Sequence, residues 1–504
     1  MSPYDRVMQS QRLPVAWLPL VAAATAVGWV LVLGSNAYGY HRDELYFLRA
    51  GDELAFGYPD QPPLTPLLAR LAGEVFGGSL VGLRLLPAVA AGLVVLCTGL
   101  IARELGGDRA AQAIAAAAMA VSAILLAVGH LLSTSVFDVL AWTVLSWLLV
   151  RALRDGGRSW LWVGLVAGIG LQNKVLVAFL LLGLASGLVI AGPRDVLRSR
   201  WPWLAAAIAL ALWTPYLIWQ ADHGWPQLEI SGVIASGGSG TREPRWLFLP
   251  YQLVLVSPLL VPVWVAGLWR LATASELRRY RAFAAAYAVL AVVFIVSGGK
   301  PYYLAGLFPL LLAAGAAPTA AWVRRGAGRA RTGLLAGALA LSAAVSAVLF
   351  LPLVPAASLA DTPIVDINYD AGETVGWPAL VRSVAVVHAA LPADERAGAV
   401  ILTRNYGQAG AIDRYGPELG LPRAHSGHNG YADWGPPPER PDQVVVVVGY
   451  DESRLREWFA AVDRASIVDN GVGLDNDEQG TPVWVCRQRR APWTEIWGGV
   501  AHLG

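Results

Sequence analysis

"AWLPLVAAATAVGWVLVL" (residues 16–33) is followed, seven residues later, by "HRDELYFLRAGDELAFGYPDQPPLTPLLARL" (41–71). The first stretch has no charge over eighteen residues, close to the ~20 apolar residues that carry a helix across a bilayer. The second packs Arg42, Asp43, Glu44, Arg49, Asp52 and Glu53 into its first thirteen positions. Another apolar run begins shortly after it. The chain therefore alternates spanning segments with polar connections, and the first connection is unusually rich in acids.

The rest of the chain repeats the alternation. Of 504 residues, 56% are hydrophobic and 15% charged, and mean hydropathy is +0.49; soluble domains carry about 25% charge. Eleven spans are expected, near 16–33, 81–101, 110–128, 136–150, 160–172, 175–191, 203–219, 249–269, 283–298, 302–322 and 333–355. The first run is longer than the ~7–15 residues of a signal-peptide core, so it reads as an uncleaved span. The net charge of +2 gives no basic excess for nucleic acid. Cys97 and Cys486 lie in different environments, which argues against a disulfide framework or a zinc cluster.

Arginine sets the expected orientation, because basic residues concentrate on the cytoplasmic side. With the N-terminus inside, inner loops from Arg6 and Arg12 to Arg329 and Arg331 carry eighteen basic residues, and outer loops, Arg242 included, carry seven. This reading makes the protein multi-pass in the cell membrane. It places residues 35–80 outside, and residues 356–504 outside as well.

Residues 356–504 read as a separate extracytoplasmic α/β domain following a membrane domain at 1–355. They hold 20 of the chain's 36 acids. Strands are expected at 397–403, 443–450, 465–468 and 481–487, with helices near 406–416 and 452–462. Short strands alternating with helices favour a small, mostly parallel sheet. The loop "SGHNGYADWGPPPERP" (426–441) reads either as an ordinary long connection or as a binding loop.

Reactive side chains gather on the outer side of the membrane half. His41, His130 and His223 are all there. So are Lys174 and Lys300, the only lysines beside 36 arginines. Lysine is a compact point charge suited to phosphate, although a lysine at a helix end can simply snorkel. Asp138, in "LLSTSVFDVLAW" (131–142), sits at the edge of a span, where an ionisable group points to function. Residues 41–72 form two expected interfacial helices. In the second, Leu64, Leu67, Leu68 and Leu71 make one apolar stripe. A solvated loop is the plainer reading of the same stretch.

"RDELYF" (42–47), "GYPDQPPL" (57–64), "STSVFDVLAW" (133–142), "LQNK" (171–174), "DHGWPQLE" (222–229) and "GKPYYLAGLFPLLLAAGA" (299–316) occur in an order and topology with a known counterpart. Over residues 15–320 the chain resembles the C-type glycosyltransferases. The branch concerned holds the protein O-mannosyltransferases and the aminoarabinose transferase of lipid A, and is similar to glycosyltransferase family 39. The resemblance implies a polytopic helical fold and inverting transfer of a sugar from a polyprenyl-phosphate donor to a lipid, glycan or protein acceptor. It implies a carboxylate that takes the acceptor's proton and cations that stabilise the departing phosphate. Asp43 matches the family's first-loop acid, with Glu44 beside it; Asp138 matches a second outer acid. Lys300, Lys174, Tyr302 and Tyr303 would hold the donor phosphate.

The pattern departs from the family at two places. Tyr46 stands where the aminoarabinose transferase has a basic residue, and Gln61 replaces the lysine of its acid–Lys–Pro loop. No cofactor is required by the motifs, but some relatives hold a divalent metal, and Asp60 with His223 or Glu229 would be its ligands here. The competing class is a polyprenyl-lipid flippase or transporter. Against it, charge does not recur through the middle of the spans, and no inverted repeat of broken helices is evident.

Overall fold

The structure, a computed structural model, describes residues 13–238, 244–325 and 328–504. Arg6, Arg12 and Arg242 of the orientation count lie outside the described residues. Among those described, seven helices are long and apolar enough to cross a membrane, or nine if each of two bent pairs is one span. Two shorter apolar helices, Ser159–Leu171 and Leu176–Ala191, fill the fifth and sixth expected segments.

The first helix, α1, is Trp17–Gly34. Its outward side chains are large and apolar: Leu18 is 83% exposed and Leu33 79%. The helix Gly328–Phe350 is likewise mostly uncovered. Apolar area on this scale needs lipid around it, and the protein is a multi-pass membrane protein.

Two expected spans are broken. Arg109–Ala120 and Ala123–Gly129 meet at 56°, and Arg245–Leu255 and Pro258–Thr273 at 79°. At the second break Ser257 takes φ 77° just before Pro258, whose ring disfavours a helical conformation at the residue preceding it. The Ser257 hydroxyl accepts a hydrogen bond from the Ala123 amide at 3.0 Å. The two breaks therefore satisfy one another inside the bundle, where an orphan N–H would be costly.

The opening polar stretch forms α2 (Arg42–Asp52) and α3 (Leu64–Phe76). His41 starts α2 as a reciprocal cap: its Nδ1 accepts from the Asp43 amide, and the Glu44 carboxylate accepts from the His41 amide at 2.8 Å. In α3 the small residues Thr65, Ala69 and Ala72 face the protein, while Leu67 and Leu71 are exposed. The leucine stripe is thus turned outward, as an in-plane helix would turn it toward lipid. The next span is α4 (Leu80–Glu104), followed later by α5 (Thr134–Asp155). The α5 helix is longer than the expected 136–150 because Arg151, Arg154 and Asp155 continue it past its apolar run.

The C-terminal residues build a five-stranded sheet in the order β2-β1-β3-β5-β4. The strands are β1 (Val400–Thr403), β2 (Ala424–Ser426), β3 (Val445–Val448), β4 (Phe459–Ile467) and β5 (Pro482–Arg489). β1 pairs in parallel with β2 and β3, while β5 is antiparallel to β3 and β4. The sheet is therefore mixed, not mostly parallel. The helix expected over 452–462 stops at Trp458, because pairing with β5 draws 459–467 into a strand and overrides its local helical preference.

Both sheet faces are buried, with successive residues of β1 entering different clusters. Val400 and Leu402 pack with Trp458 and Trp493. Ile401 joins Val446, Val485 and Trp377, and the same cluster takes in Leu45, Tyr46 and Phe47 of α2. The helix α6 (Tyr406–Tyr415) carries this contact: a methyl group added at its Gly410 would press on Leu45.

Candidate active site

The start of α2, the start of α5, the 172–175 turn and the 297–303 turn come together at one end of the bundle. With the C-terminal sheet above them they enclose a cavity of about 1690 Å³. Asp43, Asp60, Lys174, Lys300, Tyr302 and Tyr303 all line it.

Asp43 lies in the first turn of α2. Its Oδ1 accepts a 2.8 Å hydrogen bond from the Tyr406 hydroxyl, at the start of α6. The Arg42 guanidinium lies over the Tyr406 ring, 4.9 Å from its centre. Arg42 also pairs with Glu373 at 3.2 Å and Asp477 at 3.6 Å. His41 Nε2 is 3.5 Å from Asp370. Burial works against charge on His41, as does an Nδ1 that accepts from the Asp43 amide, while Asp370, Asp43 and Glu373 pull its pKa up. The base of α2 is thus tied to the C-terminal residues by charge.

Asp60 is half-buried, and desolvation in the cavity wall lifts its carboxyl to about 6. The Tyr46 hydroxyl donates to Oδ1 at 2.9 Å and the Asn429 side chain to Oδ2 at 3.3 Å. The Tyr46 hydroxyl in turn accepts from the Gly430 amide at 3.2 Å. Tyr46 is therefore a latch between α2 and the 426–431 loop.

Lys174 follows the helix Ser159–Leu171. Its ammonium donates to the Ser135 hydroxyl at 3.2 Å and lies 5.2 Å from the Tyr302 ring centre and 5.8 Å from that of Tyr303. Burial lowers its pKa, while Asp138 and Asp43 pull the other way. Lys300 precedes the short helix Pro301–Leu307, and its charge acts on Tyr302 and Asp370.

Two acids predicted for the site stand behind it. Glu44 is fully buried and does not line the cavity. Its oxygens accept from Arg84 Nε at 2.9 Å, Arg84 Nη2 at 2.7 Å, the His41 amide at 2.8 Å and the Leu132 amide at 2.9 Å. All its acceptor capacity is used, so Glu44 braces α2 against α4. Asp138 is buried in α5, accepts from the Trp142 indole at 3.1 Å and lies off the cavity wall. Its link to the site runs through Lys174.

The proposed metal ligands are not brought together. Asp60 is on the wall, but His223 is exposed and stacked on Trp219 at 4.0 Å, and Glu229 is exposed on the helix Pro226–Ala235. Among the described residues no three His, Cys, Asp or Glu side chains gather to hold an ion. These residues do not fit a metal centre. Both cysteines are free and buried.

Sequence reasoning missed Arg84, Tyr406, Asp370 and Glu373. Arg84 had a signal, a lone arginine inside an apolar helix. Tyr406, Asp370 and Glu373 had none, since their roles depend on docking of the C-terminal residues over α2. The 426–441 loop does reach the site, through His428 and Asn429.

Residues 60–219 match the family described as dolichyl-phosphate-mannose-protein mannosyltransferase. An undecaprenyl phosphate-alpha-4-amino-4-deoxy-L-arabinose arabinosyl transferase of Pseudomonas savastanoi pv. phaseolicola is 27% identical over 323 residues, 58% of this chain and 59% of that protein. A second such transferase, from Pseudomonas fluorescens, is 26% identical over 335 residues, 59% of each chain. This chain thus spans 59% of the length of these curated relatives. In fold, the crystal structure of ArnT from Cupriavidus metallidurans bound to undecaprenyl phosphate is similar with a TM-score of 0.58 at 14% identity, covering 92% of this chain and 97% of that one. Matched motifs, related sequences and shared architecture agree: over part of its length the chain is similar to C-type glycosyltransferases of the branch similar to glycosyltransferase family 39, and it shares the fold of one of them.

Proposed function

We propose that this protein transfers a sugar from a polyprenyl-phosphate donor to an extracytoplasmic acceptor, with inversion at the anomeric carbon. The observation that carries the reading is the placement of Asp43 on the same cavity as Lys174 and Lys300. A carboxylate and two ammonium groups are what the chemistry needs: one end takes a proton, the other receives a phosphate. The relatives' name, which specifies an undecaprenyl phosphate donor, supports the donor class.

In this mechanism the acceptor hydroxyl gives its proton to Asp43 as its oxygen attacks the anomeric carbon. The bond from that carbon to the phosphate oxygen breaks, and its electron pair leaves with the polyprenyl phosphate. Lys174 and Lys300 stabilise the charge that develops there. Tyr302 and Tyr303 fix the Lys174 ammonium by their ring faces. Tyr406 orients Asp43.

The arginine bias supports an N-terminus inside and residues 356–504 outside as an extracytoplasmic unit, with α2 and α3 at the outer lipid interface. No nucleotide sugar is expected on that side, so a lipid-borne donor suits it. The test is incubation of the purified chain with radiolabelled polyprenyl-phosphate hexoses and pentoses and membrane extract. Label moving into an extractable product supports the reading. Binding of donor without any transfer, by parent and Asp43→Asn alike, would favour a flippase instead.

A further inference from the structure

The sheet has a switch point. From β1 the chain passes through α6 to β2 on one side, then returns to β3 on the other. In open α/β sheets such a reversal leaves a crevice at the carboxyl ends of the strands, where ligands bind. Here the residues leaving those ends are Arg404 after β1, His428 after β2 and Tyr450 after β3, and all three line the cavity that holds Asp43.

Two of them carry buried polar atoms without a protein partner among the described residues. His428 is 6% exposed; its Nδ1 accepts from the Tyr406 amide, while its Nε2 has no hydrogen bond. Tyr450 is 7% exposed and its hydroxyl has none either. A buried donor left unmade costs about 1–3 kcal/mol, and such groups call for an explanation. With Nδ1 accepting, the neutral ring carries its hydrogen on Nε2. Burial holds His428 well below its usual pKa, with His502, Arg42 and Arg404 adding to the effect. The exposed Arg404 guanidinium stands at the same edge.

We infer that the carboxyl edge of this sheet is a sugar-binding subsite, in which His428 Nε2–H, the Tyr450 hydroxyl and Arg404 hydrogen-bond the hydroxyls of a carbohydrate ring beside Asp43. The ligand class is a neutral hexose or pentose ring, carried by the acceptor or by the donor. The inference rests on the glycosyltransferase reading for its purpose but not for its geometry.

The test is saturation-transfer NMR on the detergent-purified full chain, with a panel of methyl hexosides and methyl pentosides. Parent, Tyr450→Phe, Arg404→Ala and His428→Phe are compared, and undecaprenyl phosphate binding is measured on the same samples. Tyr450→Phe removes one oxygen and Arg404 is exposed, so these two variants remain informative if His428→Phe does not fold. The expected result is binding of at least one glycoside by the parent, weakened about tenfold by each variant, with undecaprenyl phosphate binding unchanged. A glycoside displaced by an undecaprenyl-phosphate sugar would assign the edge to the donor's ring; one bound alongside it, to the acceptor's. No glycoside binding by the parent, or binding that Tyr450→Phe and Arg404→Ala leave untouched, overturns the subsite. Failure of undecaprenyl phosphate to bind the parent strikes the proposed function instead, whatever the glycosides do.

Discussion

The Tyr406 hydroxyl donates a 2.8 Å hydrogen bond to Asp43, joining residues 363 positions apart in sequence. An acid on the membrane half is thus oriented by a phenol from the C-terminal residues. A carboxylate held in one rotamer needs less reorganisation if it is to take an acceptor's proton. Asp43→Asn keeps the size of the side chain but removes the proton acceptor. Transfer should fall ~10²-fold or more, with donor affinity near parent. Tyr406→Phe should lose less, because the carboxylate remains. Initial rates with labelled donor, read beside donor binding, test both; Asn at position 43 working at near-parent speed would remove Asp43 from the role.

The lysines should separate by charge. Lys300→Ala is expected to weaken polyprenyl phosphate binding strongly, and Lys300→Arg to keep part of it. Lys174→Ala should also disturb Tyr302 and Tyr303, whose rings face its ammonium. Titration with undecaprenyl phosphate measures each. Parent-like binding by Lys300→Ala would reduce that residue to an anchor at the membrane surface.

Breaking the Glu44–Arg84 pair should unfold rather than merely inactivate. Arg84→Met leaves a buried carboxylate uncompensated, a loss of about 3–5 kcal/mol. The double variant Glu44→Gln with Arg84→Met should recover part of that loss. Thermal unfolding in detergent is the measurement. An Arg84→Met variant as stable as the parent would contradict the bracing role.

Asp60 gives a pH signature of stability. Its folded pKa is raised to about 6 from 3.8, so the folded state binds the proton more tightly than the unfolded state does. This contribution is fully present below about 4 and is lost as pH rises through about 6. Asp60→Asn has no such proton. Its melting temperature relative to parent should therefore climb between pH 4 and 6 and level off above. A difference that stays constant across that range would mean Asp60 is not held protonated.

Topology is open to a direct check. Reporters fused after Arg200 and at Gly504 should lie on opposite sides of the membrane. The same side for both would overturn the extracytoplasmic placement of the cavity.

The membrane half was legible because bilayer thickness imposes a length on each apolar run, and each expected segment holds a helix. The breaks at Ser122 and Ser257 were not, since it is the Ser257 hydroxyl, across the bundle, that takes up the Ala123 amide and the Val121 carbonyl. Asp43, Lys174 and Lys300 were found through motif and rarity, and they do share one cavity. Glu44 was misplaced because the residue that claims it, Arg84, is forty positions away. Its own neighbours in sequence, Asp43 and Leu45, face different surroundings. His223, just past the end of its helix and stacked on Trp219, and Glu229 are both exposed and do not gather with Asp60. The C-terminal strands at 400–403, 445–448 and 482–489 showed as β-branched runs. β2, only three residues long, left no signal, nor did the docking that carries Tyr406 to Asp43.

The hydrophobic cluster that takes Leu45, Tyr46 and Phe47 together with Trp377, Ile401 and Val446 constrains how this protein could be rebuilt. A chimera made by cutting near residue 355 and grafting the C-terminal sheet of a relative would leave α2 facing an unmatched surface. It would lose the phenol that orients Asp43 along with the residues that pack on Leu45. Exchange of parts would have to move 41–62 and the C-terminal sheet as one inherited piece, although some three hundred residues of membrane helix separate them in the chain.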